Sequence, residues 1–163
     1  MLRLDLDRQL GQLQQEVVTL AEIVEKATLR AVDALKRRDL EESHQVIAGD
    51  DYIDQKRYEI EDRCIDLIAT QQPMARDLRT IIALLHITVE LERIGDYAEG
   101  IGKISVMMGE EPPLKPLIDI PRMAEKATQM LRNSMDSLAS RGAAGIIAVV
   151  QKLVKVVLFR ITP

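Results

Sequence analysis

Glu90, Glu92, Asp96 and Glu99 place four acids within ten residues of a run, beginning near Leu78, that is otherwise mostly Ile, Leu, Val and Ala. A carboxylate in apolar surroundings is costly unless a cation or several hydrogen bonds satisfy it. Glu92 and Asp96 are four apart, so on a helix they leave one face a turn apart. Asp50 and Asp54 repeat this acid-x-x-x-acid spacing earlier in the chain. Four carboxylates around one point raise each other's pKa unless something cationic neutralises them. Lys56, Arg57 and Arg93 are near enough in sequence to act as local counter-charges. The chemistry this suggests is a hard metal on oxygen ligands Asp50, Asp54, Glu92 and Asp96, with iron, manganese or magnesium the natural candidates. The competing reading is a solvated polar flank laced with salt bridges.

Two helices must bring the motifs together. One is predicted from about Leu40 to Thr70, with Val46, Ile53, Ile60, Cys64, Leu67 and Ile68 inside, and Gln71-Gln72-Pro73 ends it. The next begins near Met74 and runs to about Gly109, apolar on more than one side, which suggests neighbours all round. Folded back about Pro73, the hairpin sets Asp50 level with Asp96 and Asp54 level with Glu92. Asp62 and Asp66 have the same spacing but mirror Leu84 and Thr80, so they gain no acidic partner. A slip of a residue or two in the turn moves these heights by about 3 Å.

The remaining elements are also helical. Leu6, Leu10, Leu13, Val17, Leu20, Val24, Ala27, Ala31 and Ala34 alternate spacings of four and three, a sustained heptad seam. That helix stops near Lys36-Arg37-Arg38, and Asp39 is positioned to cap its successor, with Glu42 at the capping-box position. Three prolines between Pro112 and Pro116 close the first unit. A fourth helix is predicted from Asp119, with an inward stripe of Ile120, Met123, Ala127, Leu131, Met135 and Leu138. Glu25-Lys26-Ala27-Thr28 recurs as Glu125-Lys126-Ala127-Thr128, with the flanking seam in phase. The expected fold is therefore all-α: a three-helix bundle over 1–110, then an incomplete second helical repeat over 117–163. By the repeat offset, the third helix of that second unit would fall beyond Pro163. The segment 141–163 is acid-free and β-branched, and it is expected to pack poorly or to form a surface-seeking helix. The stripe over 117–140 is expected to drive self-association.

Hydrophobic residues make up 47% of the chain and aromatics only 2%, a composition for bundles rather than sandwiches or barrels. A net charge of −4 argues against a nucleic-acid surface. The first residues contain no apolar core of a signal peptide. Cys64 reads as a buried free thiol. His44 reads as a surface residue, although Glu41-x-x-His44 has di-iron spacing, and His86 reads as a core histidine. No nucleophile–base pair or phosphate loop is visible, so catalysis is not expected.

Asp50-x-x-x-Asp54, the turn Gln72-Pro73-Met74-Ala75-Arg76-Asp77-Leu78-Arg79 and the stretch Glu90-Leu91-Glu92-Arg93-Ile94-Gly95-Asp96-Tyr97-Ala98 resemble the PhoU family of phosphate-transport regulators. The resemblance implies a protein of two three-helix repeats, each with a pair of acid-x-x-x-acid motifs holding a metal cluster. It also implies a cytoplasmic homodimer, peripheral to the membrane through its partners, that links the phosphate ABC transporter to a sensor histidine kinase and represses the starvation response. Carried over, the first cluster maps to Asp50, Asp54, Glu92 and Asp96. The second does not map, since Val150 and Val154 stand at the offset positions. Two other readings stay open: a structural helical adaptor without metal, and a carboxylate-bridged metal oxidase.

Overall fold

The computed structural model describes residues 2–141, with side chains from Leu4 to Ser140. It contains four helices: α1 Leu2–Arg37, α2 Leu40–Gln71, α3 Ala75–Met108 and α4 Asp119–Arg141. No strand is found among the described residues, so the all-α expectation holds there. None of these helices is long and apolar enough to cross a membrane.

The helix ends follow local chemistry. Arg38 takes a positive φ of 57°, and the Asp39 carboxylate accepts from the Glu42 amide at 3.0 Å, so α1 stops and α2 begins within two residues. Glu42 does not return the bond as a capping box would. Its carboxylate accepts from Arg30 at 2.6 Å and ties α1 to α2. Gln72 takes the left-handed conformation before Pro73 and turns the chain into α3. Gly109, at φ 58°, closes α3 with its amide on Ser105 and Val106.

The heptad seam of α1 becomes the axis of the bundle. Leu13, Val17, Leu20 and Val24 are fully buried against Ile53, Ile60, Cys64, Ile81, Leu84, Ile87 and Leu91. Burial pushes the Cys64 thiol up to about 12, which leaves it inert at neutral pH. Two expectations for α3 require correction. Among the described residues it packs on α1 and α2 only, and Leu78, Ile82 and Ile104 are exposed there, because two neighbours cover a single wide stripe. His86 is exposed rather than in the core, since it lies off the Leu84–Ile87–Leu91 stripe.

Helix α4 packs on α1 and, among the described residues, on neither α2 nor α3. Leu131, Met135 and Leu138 join the same core as the first three helices. Gln14 donates to the Leu138 carbonyl at 2.7 Å, and Arg132 pairs with Glu25. The buried stripe is Ala124, Thr128, Leu131, Met135 and Leu138, while Ile120 and Met123 stay outside. A single partner covers one narrow seam, so the adjacent apolar row at the start of α4 is left uncovered. The expectations for residues 141–163 lie outside the described residues, which end at Arg141.

Candidate metal centre

The acid motifs lie along the solvent-facing side of the α2–α3 hairpin, with Asp50, Asp54 and Glu92 half-buried and Asp96 exposed. The hairpin's register is set by small residues on α3: Gly95, Ala98, Gly102 and Ser105 are all buried. Ser43 donates to Ser105 at 2.9 Å inside the interface. Gly95 lies against Ile53, and Gly102 against Ile47 and the Ser43 carbonyl. Ser43–Ser105, Ile53–Gly95 and Ile47–Gly102 sit two to three residues further along α3 than a turn centred on Pro73 gives, or about 3–4 Å. The cause is the turn itself, since residues 72–74 leave the helix and add length.

The shift changes which acids meet. Asp50 is half-buried, and its carboxyl is pushed from the ordinary 3.8 to about 6, first by burial and then by the charges of Glu99, Asp54, Asp96 and Glu92. Glu92 is raised by burial and by Asp96, with Arg57 opposing. Asp96 is raised by burial and by Asp54 and Glu99, with Lys103 and Arg93 opposing. Asp50, Asp54, Glu92 and Asp96 therefore share one electrostatic field. Their oxygens are not drawn to a point: among the described residues no group of three or more His, Cys, Asp or Glu is set to hold a metal ion as it stands.

Sequence reasoning noted Glu99 among the acids of this run but left it out of the site. It follows Glu92 and Asp96 at spacings of four and three, a signal that places it on the same face. Its carboxylate holds the Lys103 ammonium at 2.6 Å. Of the anticipated counter-charges, Lys56 turns to Glu59 at 2.6 Å and Arg93 to Glu90 at 3.0 Å. Arg57 lies 3.3 Å from Glu61, and its Nε is buried without a hydrogen-bond partner. Arg57 and Lys103 thus bracket the acidic groove from its two ends.

By donor chemistry, though not by the present placement of their oxygens, the residues suit a hard cation. The donor set is carboxylate oxygen alone, carried in pairs on two facing helices. A Cβ on Gly95 would lie 3.6 Å from Asp50 Oδ1, so the bare backbone there is a cradle over which the Asp50 carboxylate lies. His44 and His86 are exposed and Cys64 is sealed in the core, so no softer ligand joins the set. Residues 102 and 105, which mirror Glu41 and His44, are glycine and serine.

The shared field has a measurable consequence without metal. A folded carboxyl whose pKa stands above its unfolded value binds more protons than the unfolded chain does. For Asp50 this window runs from 3.8 to about 6, so stability falls as pH rises through it, and the cost is fully present above it. Glu92 and Asp96 shift in the same direction. In chelator, melting temperature is therefore expected to rise from about pH 7.5 to about pH 5. A flat or falling profile would mean that burial and the neighbouring charges do not raise these carboxyls in the folded chain.

A family model described as the PhoU domain matches residues 17–105, which contain α2, all but the last three residues of α3 and both acid motifs. The chain belongs to the PhoU domain family. It is 40% identical over 130 residues to the phosphate-specific transport system accessory protein PhoU homolog of Aquifex aeolicus, covering 80% of this chain and 59% of that protein. The Xylella fastidiosa protein of the same description is 33% identical over 135 residues, covering 83% and 56%. The chain thus spans less than two thirds of the length of these curated PhoU relatives. Among solved structures, the phosphate transport system regulatory protein PhoU from Streptococcus pneumoniae superposes with a TM-score of 0.78 at 28% identity, over 90% of this chain and 69% of that one. PhoU from Pseudomonas aeruginosa gives 0.79 at 22% identity, over 92% and 90%, which speaks for the PhoU fold alone.

Proposed function

We propose that this chain is a metal-binding regulator of phosphate uptake that acts by protein contact and not as an enzyme. The observation that carries the metal reading is the pairing of Asp50 and Asp54 on α2 with Glu92 and Asp96 on α3 in one field, with Asp50 held near 6. Such a field is a standing cost that a cation removes, and iron, manganese or magnesium suits an all-carboxylate donor set. In this reading Asp50, Asp54, Glu92 and Asp96 hold the ion, and Glu99 screens or joins them once Lys103 is displaced. The bound cation supplies charge neutralisation that locks α2 to α3. The residues then present a fixed hairpin surface to a partner.

The phosphate-transport role is supported by the descriptions of the relatives, which are accessory proteins of that system. The partners in this reading are the phosphate ABC transporter and a sensor histidine kinase, and the chain works in the cytoplasm as a homo-oligomer that represses the starvation response. The adaptor reading draws on the ion pairs that the surface charges already make. Metal analysis separates the two. After chelation and dialysis against Mn2+ or Mg2+, metal is expected to remain bound at stoichiometric level, with a higher melting temperature than in sodium chloride of equal ionic strength. Protein that retains neither ion and melts alike in both salts would leave the adaptor. Co-purification with the transporter tests the partner directly.

A further inference from the structure

We infer that the groove between α1 and α4 is the docking site of the chain's own segment 142–163, an inference independent of the metal reading. The groove encloses about 300 Å³. Its floor is apolar: Ala21, Leu131 and Met135 are buried and Val18 is half-buried. Its rim carries Glu22, Glu25 and Asp136 against one cation, Arg132. Arg132 is held by Glu25 at 2.7 Å, whereas Glu22 and Asp136 make no ion pair among the described residues. Two uncompensated acids beside an apolar floor suit a segment that is both apolar and basic. Residues 142–163 have that character: they hold Lys152, Lys155 and Arg160, no acid, and otherwise mostly Ile, Val, Leu and Ala. Their starting point favours the same match. Gln14 donates to the Leu138 carbonyl at 2.7 Å and fixes the last turn of α4 on α1, so residue 142 departs from a fixed point at the end of the groove. Gly142 and Gly145 allow the chain to turn there. From Arg141 back to Leu131 is about 15 Å of helix, a distance the segment spans at either helical or extended rise. The other uncovered apolar row of α4, Ile120 with Met123, is a poorer match. Lys126 is exposed one turn from Met123, so it repels the same basic side chains.

The test is zero-length carbodiimide coupling of the full chain, read by mass spectrometry. Amide links from Lys152 or Lys155 to Glu22, Glu25 or Asp136 are expected, each within one chain. An equal mixture of isotope-labelled and unlabelled chains separates the cases. Links that join a labelled to an unlabelled chain would seat a second copy in the groove and overturn the inference. Hydrogen exchange gives an independent readout. Glu22→Gln with Asp136→Asn is expected to speed exchange at residues 18–25 and 131–136 by about fivefold, the scale of two weak ion pairs. Lys152→Gln with Lys155→Gln should do the same from the other side of the contact, and Asp62→Asn on α2 should change nothing there. Absence of the links in wild type overturns the inference, as does exchange that neither pair of substitutions alters. Recruitment of the wild-type chain to phosphatidylglycerol vesicles without any of these links would assign the segment to a membrane surface and likewise overturn it.

Discussion

Leu91→Ala is expected to lower the free energy of unfolding by about 2–5 kcal/mol. Leu91 is fully buried, in contact with the α1 seam and the α2 stripe that form one core. Shortening it removes apolar area from that core and leaves a void that three packed helices close only in part. It also directly precedes Glu92, so the same residue that anchors α3 fixes where the first acid of its motif emerges. Ile82→Ala, on the exposed side of α3, is the matched comparison and should cost well under half as much, because Ile82 is 41% exposed. Urea unfolding of both variants in chelator measures the pair. Similar losses at the two positions would mean that α3 is covered on both sides and that the two-neighbour packing is wrong.

The sequence carried the fold where periodicity and capping agreed. The four–three spacing from Leu6 to Ala34 identifies the axis helix, Asp39 marks the next start, and Gly109 with the prolines after Glu111 marks the boundary behind α3. The acid pairs were also legible, because a carboxylate motif inside an apolar run is unusual whatever its register. Less was readable wherever the answer depended on how many neighbours an element has. Ile120 and Met123 form an apolar row as regular as the one that is buried beside it, and the side on which α1 packs decides between them among the described residues. The apolar text around His86 likewise hides an exposed face. Register was lost for a different reason: the geometry of residues 72–74 depends on backbone conformation at Gln72, and the resulting shift brings in Glu99. The close approach at Gly95 is tertiary as well. A glycine in helical text reads as a mild defect until the facing Ile53 is in view.

Asp54→Asn combined with Asp96→Asn should have opposite effects with and without metal. Asp54 is the foremost charge acting on Asp96, and both belong to the field that raises Asp50. Asparagine keeps the shape and removes the charge, so the metal-free variant is expected to melt higher than wild type near neutral pH, where repulsion is fully present. The increment on adding Mn2+ should go the other way. Wild type held at a hundred times its dissociation constant gains about 2.7 kcal/mol of stability by mass action, and a variant stripped of an acid from each helix should gain almost none. Asp62→Asn with Asp66→Asn is the control, since these acids share the four-residue spacing but are exposed and face no acid across the hairpin. That control should keep the whole Mn2+ increment. If the Asp54 and Asp96 variant gained as much from Mn2+ as wild type does, the cation would be bound elsewhere. If its metal-free form were less stable than wild type, the two carboxylates would be holding the hairpin together through hydrogen bonds rather than straining it.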